Sequence, residues 1–459
     1  MKKLTRFHWI FALKYIKYSL LLCVVPMIRA VINFDMESLF TALTQDAAIL
    51  VFMAVIAVLL WFNAGYVKSE GNIDIYEGLF IKRKHSILLK SLAVVETVRP
   101  LSFRIFGASK VILYFKTNKI GKTTTLYLSK KDAEAFAHSA MPVKQDVSVF
   151  EPAGAERLAF VMLSANILTS SLFAVVTVNR LTDVLGKNAG NIAWERFSRL
   201  ELWFEHFLPA GFAFATALLF LTFTFSVLYS IFRTAGFKVC RNGGVLISKG
   251  GLVTKIERRF WCAAITACDV RVTPAARLLR RYPVFLYAGS FHAADAPVFA
   301  FKNKNRALLH LLLPEFTLEE PEFKAPKTRS IFQYVWLPAS VFAVFTVLYI
   351  VARSVLPPLS SLFLFPMLLS FLSCVLSCEG YCRENIRLNK NATVGICYTR
   401  FFTRHDVCVL VQDLALRTRQ HPISLANGYA DLYLYLPCMR RLRVRGMQAY
   451  AAKTFNLPY

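Results

Sequence analysis

Arg99-Pro100-Leu101-Ser102-Phe103, running on to Val111-Ile112-Leu113-Tyr114-Phe115, decides the fold of this chain. A proline closing one apolar run and a Leu-Tyr pair inside the next mark two β-strands with a break between them. The same arrangement returns at Thr273-Pro274 with Phe285-Leu286-Tyr287, and again at His421-Pro422-Ile423-Ser424 with Leu432-Tyr433-Leu434-Tyr435. From Pro to Tyr is 14 residues in the first instance and 13 in the other two. Recurrence on this scale is the mark of an internal repeat, and it bounds the fold more than any local reading does. Pro100, Pro274 and Pro422 are expected at strand edges or bends.

Outward from each copy lie long apolar segments. The chain has 459 residues, 56% of them apolar and 18% charged, with a mean hydropathy of +0.46, which places it among integral membrane proteins. A spanning helix needs about 20 apolar residues. Six segments are expected to qualify: Ile10–Ile32, Ala47–Tyr66, Leu158–Val178, Phe207–Ile231, Phe332–Ala352 and Leu362–Leu376. They form three pairs, one before each β-rich segment. No small-residue cleavage site follows the basic start, so the first segment is expected to be retained.

Orientation follows from Lys and Arg placement. Lys2, Lys3, Arg6, Lys14 and Lys17 precede or open the first span, whereas the connection Asn33–Asp46 holds Asp35, Glu37 and Asp46 and no base. The β-rich segments after each pair carry an excess of bases. The positive-inside rule therefore puts both termini and all three segments in the cytoplasm. The connection Asn179–Glu205, with Trp194, Phe197 and Trp203, suits the membrane interface. The ten cysteines include no CxxC pair, and a disulfide framework is not expected in the cytoplasm.

Within the first β-rich segment, Asn72–Phe80, Ile81–Lys90, Ala93–Val98, Lys110–Lys116 and Thr123–Leu128 read as strands. Ser129-Lys130-Lys131-Asp132 reads as a cap for a helix over Ala133–Met141. The second segment gives strands at Val245–Ser248, Leu252–Ile256, Ala264–Val272, Val284–Ala288 and Val298–Phe301, then a helix at Asn305–Leu312. The third gives Thr393–Phe402, Val407–Val411, Leu414–Arg419, Tyr429–Leu436 and Leu442–Arg445, then a short helix near Met447–Thr454.

This order of helix pair, strands, proline, Leu-Tyr strand and closing helix resembles the bacterial pleckstrin-homology-like (PH-like) domains. Three of them, each behind two spans, resemble the YdbT-type family of bacterial membrane proteins. The diffuse motifs that carry the resemblance are Gly78-Leu79, Gly251-Leu252, the three Pro-to-Tyr intervals and the basic last strands; in the third copy Gly395-Ile396 stands where a Gly-Leu pair is absent. The fold implied is membrane α-helical plus β: six transmembrane helices in three hairpins, each followed by a cytoplasmic PH-like β-sandwich with a C-terminal helix. The hairpins are 1–66, 157–232 and 331–378; the PH-like domains are 67–145, 233–318 and 379–459. The resemblance also implies a role in envelope stress or resistance to membrane-active compounds, and a smaller PH-like membrane protein as partner.

Chemistry is sparse. There is no GxSxG, GxxxxGK[ST] or HExxH, and no two histidines lie at ligand spacing, so no enzyme, cofactor or metal is expected. Cys374, Cys378 and Cys382 share a helix face but read as small packing residues. No acid–base chain crosses a span, which weighs against the alternative of a transporter or lipid-handling membrane protein. The basic clusters stand out in a chain of net charge +27. Arg441, Arg443 and Arg445 have strand period two and share a face. Arg280 with Arg281, and Lys82, Arg83 and Lys84, are the next candidates for contact with anionic lipid head groups or an acidic protein. Topology alone accounts for much of this charge. Nucleic acid is not an expected partner of a membrane-tethered chain.

Overall fold

The computed structural model describes residues 5–15, 36–69, 71–79, 82–116, 123–143, 150–165, 187–207, 210–292, 296–302, 306–316, 323–324, 331–355, 357–389, 393–400, 403–410, 414–420, 425, 428–436 and 441–448. The strands, in chain order, are β1 (Thr5–Arg6), β2 (Gly65–Ser69), β3 (Asn72–Glu77), β4 (Arg83–Leu88), β5 (Leu92–Arg99), β6 (Ala108–Phe115) and β7 (Thr124–Ser129). They continue with β8 (Lys238–Asn242), β9 (Val245–Gly250), β10 (Lys255–Trp261), β11 (Ile265–Val272), β12 (Arg281–Ala288), β13 (Phe291–His292), β14 (Phe299–Lys302) and β15 (Phe323–Lys324). The last are β16 (Asn385–Asn389), β17 (Thr393–Arg400), β18 (Thr403–Leu410), β19 (Ala415–Arg419), β20 (Tyr429–Tyr435) and β21 (Arg441–Gln448).

The chain divides into two compact units. One holds Met1–Val147, Arg241–Ala264 and Gly289–Phe291; the other holds Ser148–Cys240, Ile265–Ala288 and His292–Tyr459.

In the first unit, β1-β2-β3-β4 form one antiparallel sheet. A single 3₁₀ turn at Leu89–Ser91 passes the chain to a second sheet, β5-β6-β7. The β-branched run Val94-Val95 and its neighbours Leu92 and Ala93 are fully buried, as are Val111, Leu113, Leu126 and Leu128 opposite. The closing helix Lys130–Ala140 starts where the sequence places its cap: the Ser129 hydroxyl accepts from the Asp132 N–H at 3.2 Å. Phe136 and Ala137 seal the sheet from this helix. The second sheet does not end at β5. Its outer edge is taken by β10, which pairs antiparallel with β5 from Lys255↔Arg99 to Phe260↔Val94, and β9 pairs with β10 beyond it. Strands from a distant stretch of sequence thus complete this unit.

The second unit repeats the device. β11 pairs with β12, and β12 with β14, and the free edge of β11 is taken by β18 from Ala267↔Val409 to Val272↔Arg404. β17, β16 and β15 continue that sheet. β19-β20-β21 form a separate three-stranded sheet, packed into a core with Ile386, Val394, Ile396, Leu432, Leu434 and Val444.

Several local expectations need correction. Where only a break between strands was expected, Leu101–Ile105 and Pro274–Leu278 each form a single helical turn. Pro274, with no N–H and a helix-compatible φ, takes the first helical position at no hydrogen-bond cost, whereas Pro100 precedes its turn in extended conformation; Thr273 caps the second turn by accepting from the Ala276 N–H at 3.0 Å. Pro422 lies outside the described residues. Leu252–Ile256 is not a strand: Gly251, at φ +103, turns the chain there and the strand begins at Lys255. Met447 belongs to β21, and the rest of the helix expected near Met447–Thr454 lies outside the described residues apart from Gln448, which is also strand.

Six spans were expected, whereas among the described residues two helices are long and apolar enough to cross a membrane, Thr216–Thr234 and Tyr334–Val355. Much of the first and third expected spans lies outside the described residues. Within the helix Met36–Asn63, Leu50–Asn63 is a shorter apolar stretch among the described residues. The helix Pro357–Arg383 carries Glu379 and Arg383 in its last turns and packs along Phe332–Val355, where Phe342 and Phe371 meet at 5.7 Å.

Candidate functional site

The opening stretch leads to a cleft in the first unit. β5 ends at Arg99, Pro100 breaks the strand, and the turn Leu101–Ile105 delivers Arg104 to the same side. Lys130 opens the closing helix and Lys255 opens β10, directly across from Arg99 in register. Arg99, Arg104, Lys130 and Lys255, with Gly107 and Ala108, line a cavity of about 200 Å³. Arg104 Nη1 donates to the Leu252 carbonyl at 2.8 Å, which ties the turn to the β9–β10 loop. Arg99 pairs with Glu134 at 3.1 Å. No ion pair engages Lys130 or Lys255 among the described residues, so the cleft holds more positive charge than its own acids neutralise.

The rim of this cleft is apolar. Leu101, Ile105 and Phe106 are 54%, 73% and 47% exposed, and Leu252 and Val253 beside Arg104 are exposed too. Phe106 meets Trp9 edge-on at 5.0 Å. Trp9 directly precedes the segment read as the first span, and the Trp61 indole, near the C-terminal end of Met36–Asn63, donates to the Phe7 carbonyl at 2.7 Å. The apolar rim therefore lies where two helices leave the β-structure. The turn Pro274–Leu278 in the second unit is built alike: Leu278 is 85% exposed, and the turn packs against the helix Gly154–Ser164, which leads into the third expected span. Leu425, after Pro422, is also exposed. Sequence reasoning missed the cleft because its four cations come from four separate elements.

The residues singled out from sequence fare differently. Lys82, Arg83 and Lys84 are exposed at the outer edge of β4, where Lys84 pairs with Asp74 at 3.0 Å. That hydrogen bond and charge raise the Lys84 pKa above its ordinary value. Arg280 has φ +52, the left-handed region, at the corner before β12. Arg281 is committed to Glu156 at 2.7 Å, and this bond lowers the Glu156 pKa. Arg441, Arg443 and Arg445 alternate along β21 with the buried Leu442 and Val444. Arg441 lies 3.9 Å over the Tyr433 ring and Arg443 pairs with Asp431 at 2.6 Å. Arg445 is structural: its guanidinium binds the buried Glu384 at 3.0 Å and covers Tyr334 at 4.5 Å. Burial works against its charge, but Glu384 more than offsets that and the Arg445 pKa is raised.

A second site runs along the strand seams, and here the Leu-Tyr pairs acquire a role. In the β5–β10 seam the Tyr114 hydroxyl donates to Glu96 at 2.9 Å, and Arg258 on β10 donates to the same carboxylate at 2.7 Å. Burial, then the neighbouring carboxylate, raises the Tyr114 pKa and keeps it a donor. In the β11–β18 seam the Tyr287 hydroxyl lies 3.3 Å from Asp269, and His405 on β18 approaches that carboxylate at 3.1 Å. Asp269 is fully buried and also accepts from Arg271 at 3.0 Å. Tyrosine, acid and incoming base recur in the same order. A buried carboxylate is tolerable only when its oxygens are this well occupied.

Residues 20–142, which include the helix Met36–Asn63 and the strands β2–β7, match the family model described as Bacterial PH domain. No curated protein matches the chain. A bacterial PH domain is thus found at residues 20–142, and it is the segment that supplies most of the basic cleft.

Proposed function

We propose that this chain is a non-enzymatic, multi-pass protein of the bacterial cell membrane whose PH-like domains form a cytoplasmic scaffold that engages anionic lipid head groups or a protein partner. In this reading six spans form three hairpins (1–66, 157–232, 331–378), each followed by a PH-like domain (67–145, 233–318, 379–459), with both termini cytoplasmic. The bacterial PH domain at residues 20–142 and the helices Thr216–Thr234 and Tyr334–Val355 support it. So do Trp194 and Trp203, exposed on the helix Lys187–Glu205 that precedes the apolar helix Ala210–Thr234. A service in envelope stress or resistance to membrane-active compounds fits such a scaffold.

The observation that carries the lipid half is the cleft of Arg99, Arg104, Lys130 and Lys255 under an apolar rim. Basic residues near an anionic leaflet contribute about 1 kcal/mol each, and exposed apolar side chains beside them enter the head-group region. The cations would meet a lipid phosphate while Leu101, Ile105 and Phe106 sit against the acyl boundary. The test uses the full chain in nanodiscs of neutral lipid with and without phosphatidylglycerol. Hydrogen exchange over 99–107 and 252–255 should slow when the anionic lipid is present. The Arg104→Glu/Lys255→Glu variant should lose that response. Equal exchange in both nanodiscs at low salt would remove the lipid half of the proposal.

A further inference from the structure

The two seams leave a third strand of the same kind whose outer edge is covered by no strand among the described residues. Register identifies it. Val94 faces Tyr114 in β5–β6, Ala267 faces Tyr287 in β11–β12, and Ala415 faces Tyr435 in β19–β20. β19 therefore occupies the place held by β5 and β11. The outer edges of β5 and β11 are covered by β10 and β18. Among the described residues β19 is hydrogen-bonded to β20 alone, at the end of a three-stranded sheet, and Ala415, Arg417, Thr418 and Arg419 are exposed. An uncovered edge presents a row of backbone donors and acceptors ready to pair with an added strand.

Counting from the register pairs, Glu96, Asp269 and Arg417 hold equivalent positions, two residues after Val94, Ala267 and Ala415. At the closed seams this position is an acid that binds a base on the incoming strand, Arg258 or His405. On β19 the sign is reversed. We infer that the β19 edge is a strand-docking site for a different protein, one that offers an extended strand with Asp or Glu opposite Arg417.

A second copy of this chain is the competing occupant, and charge argues against it. The strand equivalent to β10 and lacking a seam is β4: Leu88 precedes the 3₁₀ turn before β5 as Trp261 precedes the one before β11. His85 then corresponds to Arg258, and Arg83 to Ile256. In the seam register, where Arg258 faces Glu96 and Ile256 faces Val98, β4 of another copy would set Arg83 against Arg419 and would bring Arg417 a histidine, His85, in place of a carboxylate. Like charges directly opposite one another disfavour pairing. The basic edges of both terminal strands thus block self-addition and select an acidic strand. This inference rests on strand register and is independent of lipid binding.

The test measures anisotropy of labelled peptides with the full chain in neutral nanodiscs. The probes are residues 254–261 of this chain as they stand, with Arg258, and the same peptide with Arg258→Glu. The acidic peptide should bind at least tenfold more tightly. Arg417→Glu in the full chain should reverse the order of the two, and its unchanged melting temperature would show that the exposed site still folds. N-methylation of alternate peptide amides should abolish binding, since charge attraction alone would survive it. Failure of the acidic peptide to bind, equal binding of both peptides, or no reversal by Arg417→Glu would overturn the inference. So would oligomers of the wild-type chain that Arg417→Glu leaves intact.

Discussion

Glu96→Ala is the most informative single perturbation of the fold. The Glu96 side chain is 8% exposed and uses both oxygens, one for Arg258 at 2.7 Å and one for Tyr114 at 2.9 Å. A hydrogen bond to a charged group contributes about 1.5–3 kcal/mol and a neutral one about 1. Removing one partner of a buried pair costs about 3–5 kcal/mol, because the other charge is left without compensation. Arg258 is 17% exposed and reaches some water, which places the loss near the lower end, at about 3 kcal/mol. For a folded body of about 150–250 residues that lowers the melting temperature by about 6–12 °C. Glu96→Gln keeps its carbonyl oxygen for Arg258 and turns its amide N–H toward the Tyr114 hydroxyl, which can accept, so it should cost less than Glu96→Ala. Arg258→Ala should match Glu96→Ala, and the double variant should cost little more than either, with a coupling of at least about 1.5 kcal/mol. The assay is thermal unfolding of the full chain in detergent by intrinsic fluorescence, with hydrogen exchange read on β10. A drop under 2 °C for Glu96→Ala, or strict additivity in the double variant, would refute the view that this carboxylate holds the two distant stretches together.

Other perturbations separate structural from surface charge. Arg445→Ala strands the buried Glu384 and should destabilise the chain by about 3 kcal/mol, whereas Arg443→Ala, an exposed pair with Asp431, should cost at most about 1, both read by melting temperature. Gly251→Ala puts a Cβ 2.0 Å from the Thr254 carbonyl at φ +103, and should cost about 1–3 kcal/mol and speed exchange across the β9–β10 hairpin. Glu156 has a pKa below its ordinary 4.5 because Arg281 binds the ionised form. Its stabilising contribution is therefore full above that ordinary value and lost as pH falls through the lowered one. It should amount to at most about 1 kcal/mol, since the carboxylate is 41% exposed. Melting curves of wild type and Glu156→Gln should differ at pH 7 and converge as pH falls well below 4.5; a gap that persists in strong acid would contradict the assignment.

Much of the strand layout is legible from sequence because it rests on local rules. Leu92–Arg99 and Ile265–Val272 are β-branched and apolar, Ser129 caps the closing helix, and Gly78 and Gly251 adopt positive φ at turns. The strand that matters most for assembly, β10, is not legible. Lys-Ile-Glu-Arg-Arg-Phe-Trp reads as a solvated basic patch, because its cations are neutralised by Glu96 and Glu257, and Glu96 is distant in sequence. Propensity tells that a segment fits a pleated surface and says nothing of which segment lies beside it. The same limit hides the cleft. Arg99, Arg104, Lys130 and Lys255 are ordinary surface bases until register brings Lys255 opposite Arg99. Arg445 misleads in the other direction: period two places it with Arg441 and Arg443, but only the fold brings Glu384 to it.

The Pro-to-Tyr stretch then explains why the seams fall where they do. Proline ends the strand and the helical turn brings the chain back, so the returning strand pairs with its predecessor and sets Tyr114 within reach of Glu96, and Tyr287 within reach of Asp269. The hydroxyl occupies one side of the carboxylate and leaves the other for a base from beyond the sheet edge. Without that base Glu96 would be a buried charge with open valence, so β5 demands a neighbour; Asp269, which also binds Arg271 on its own strand, keeps room for His405. On β19, the third strand of this kind, the demand is either removed or redirected. Replacing the acid by Arg417 does both: an exposed arginine tolerates solvent, and it accepts only a strand that brings the missing negative charge.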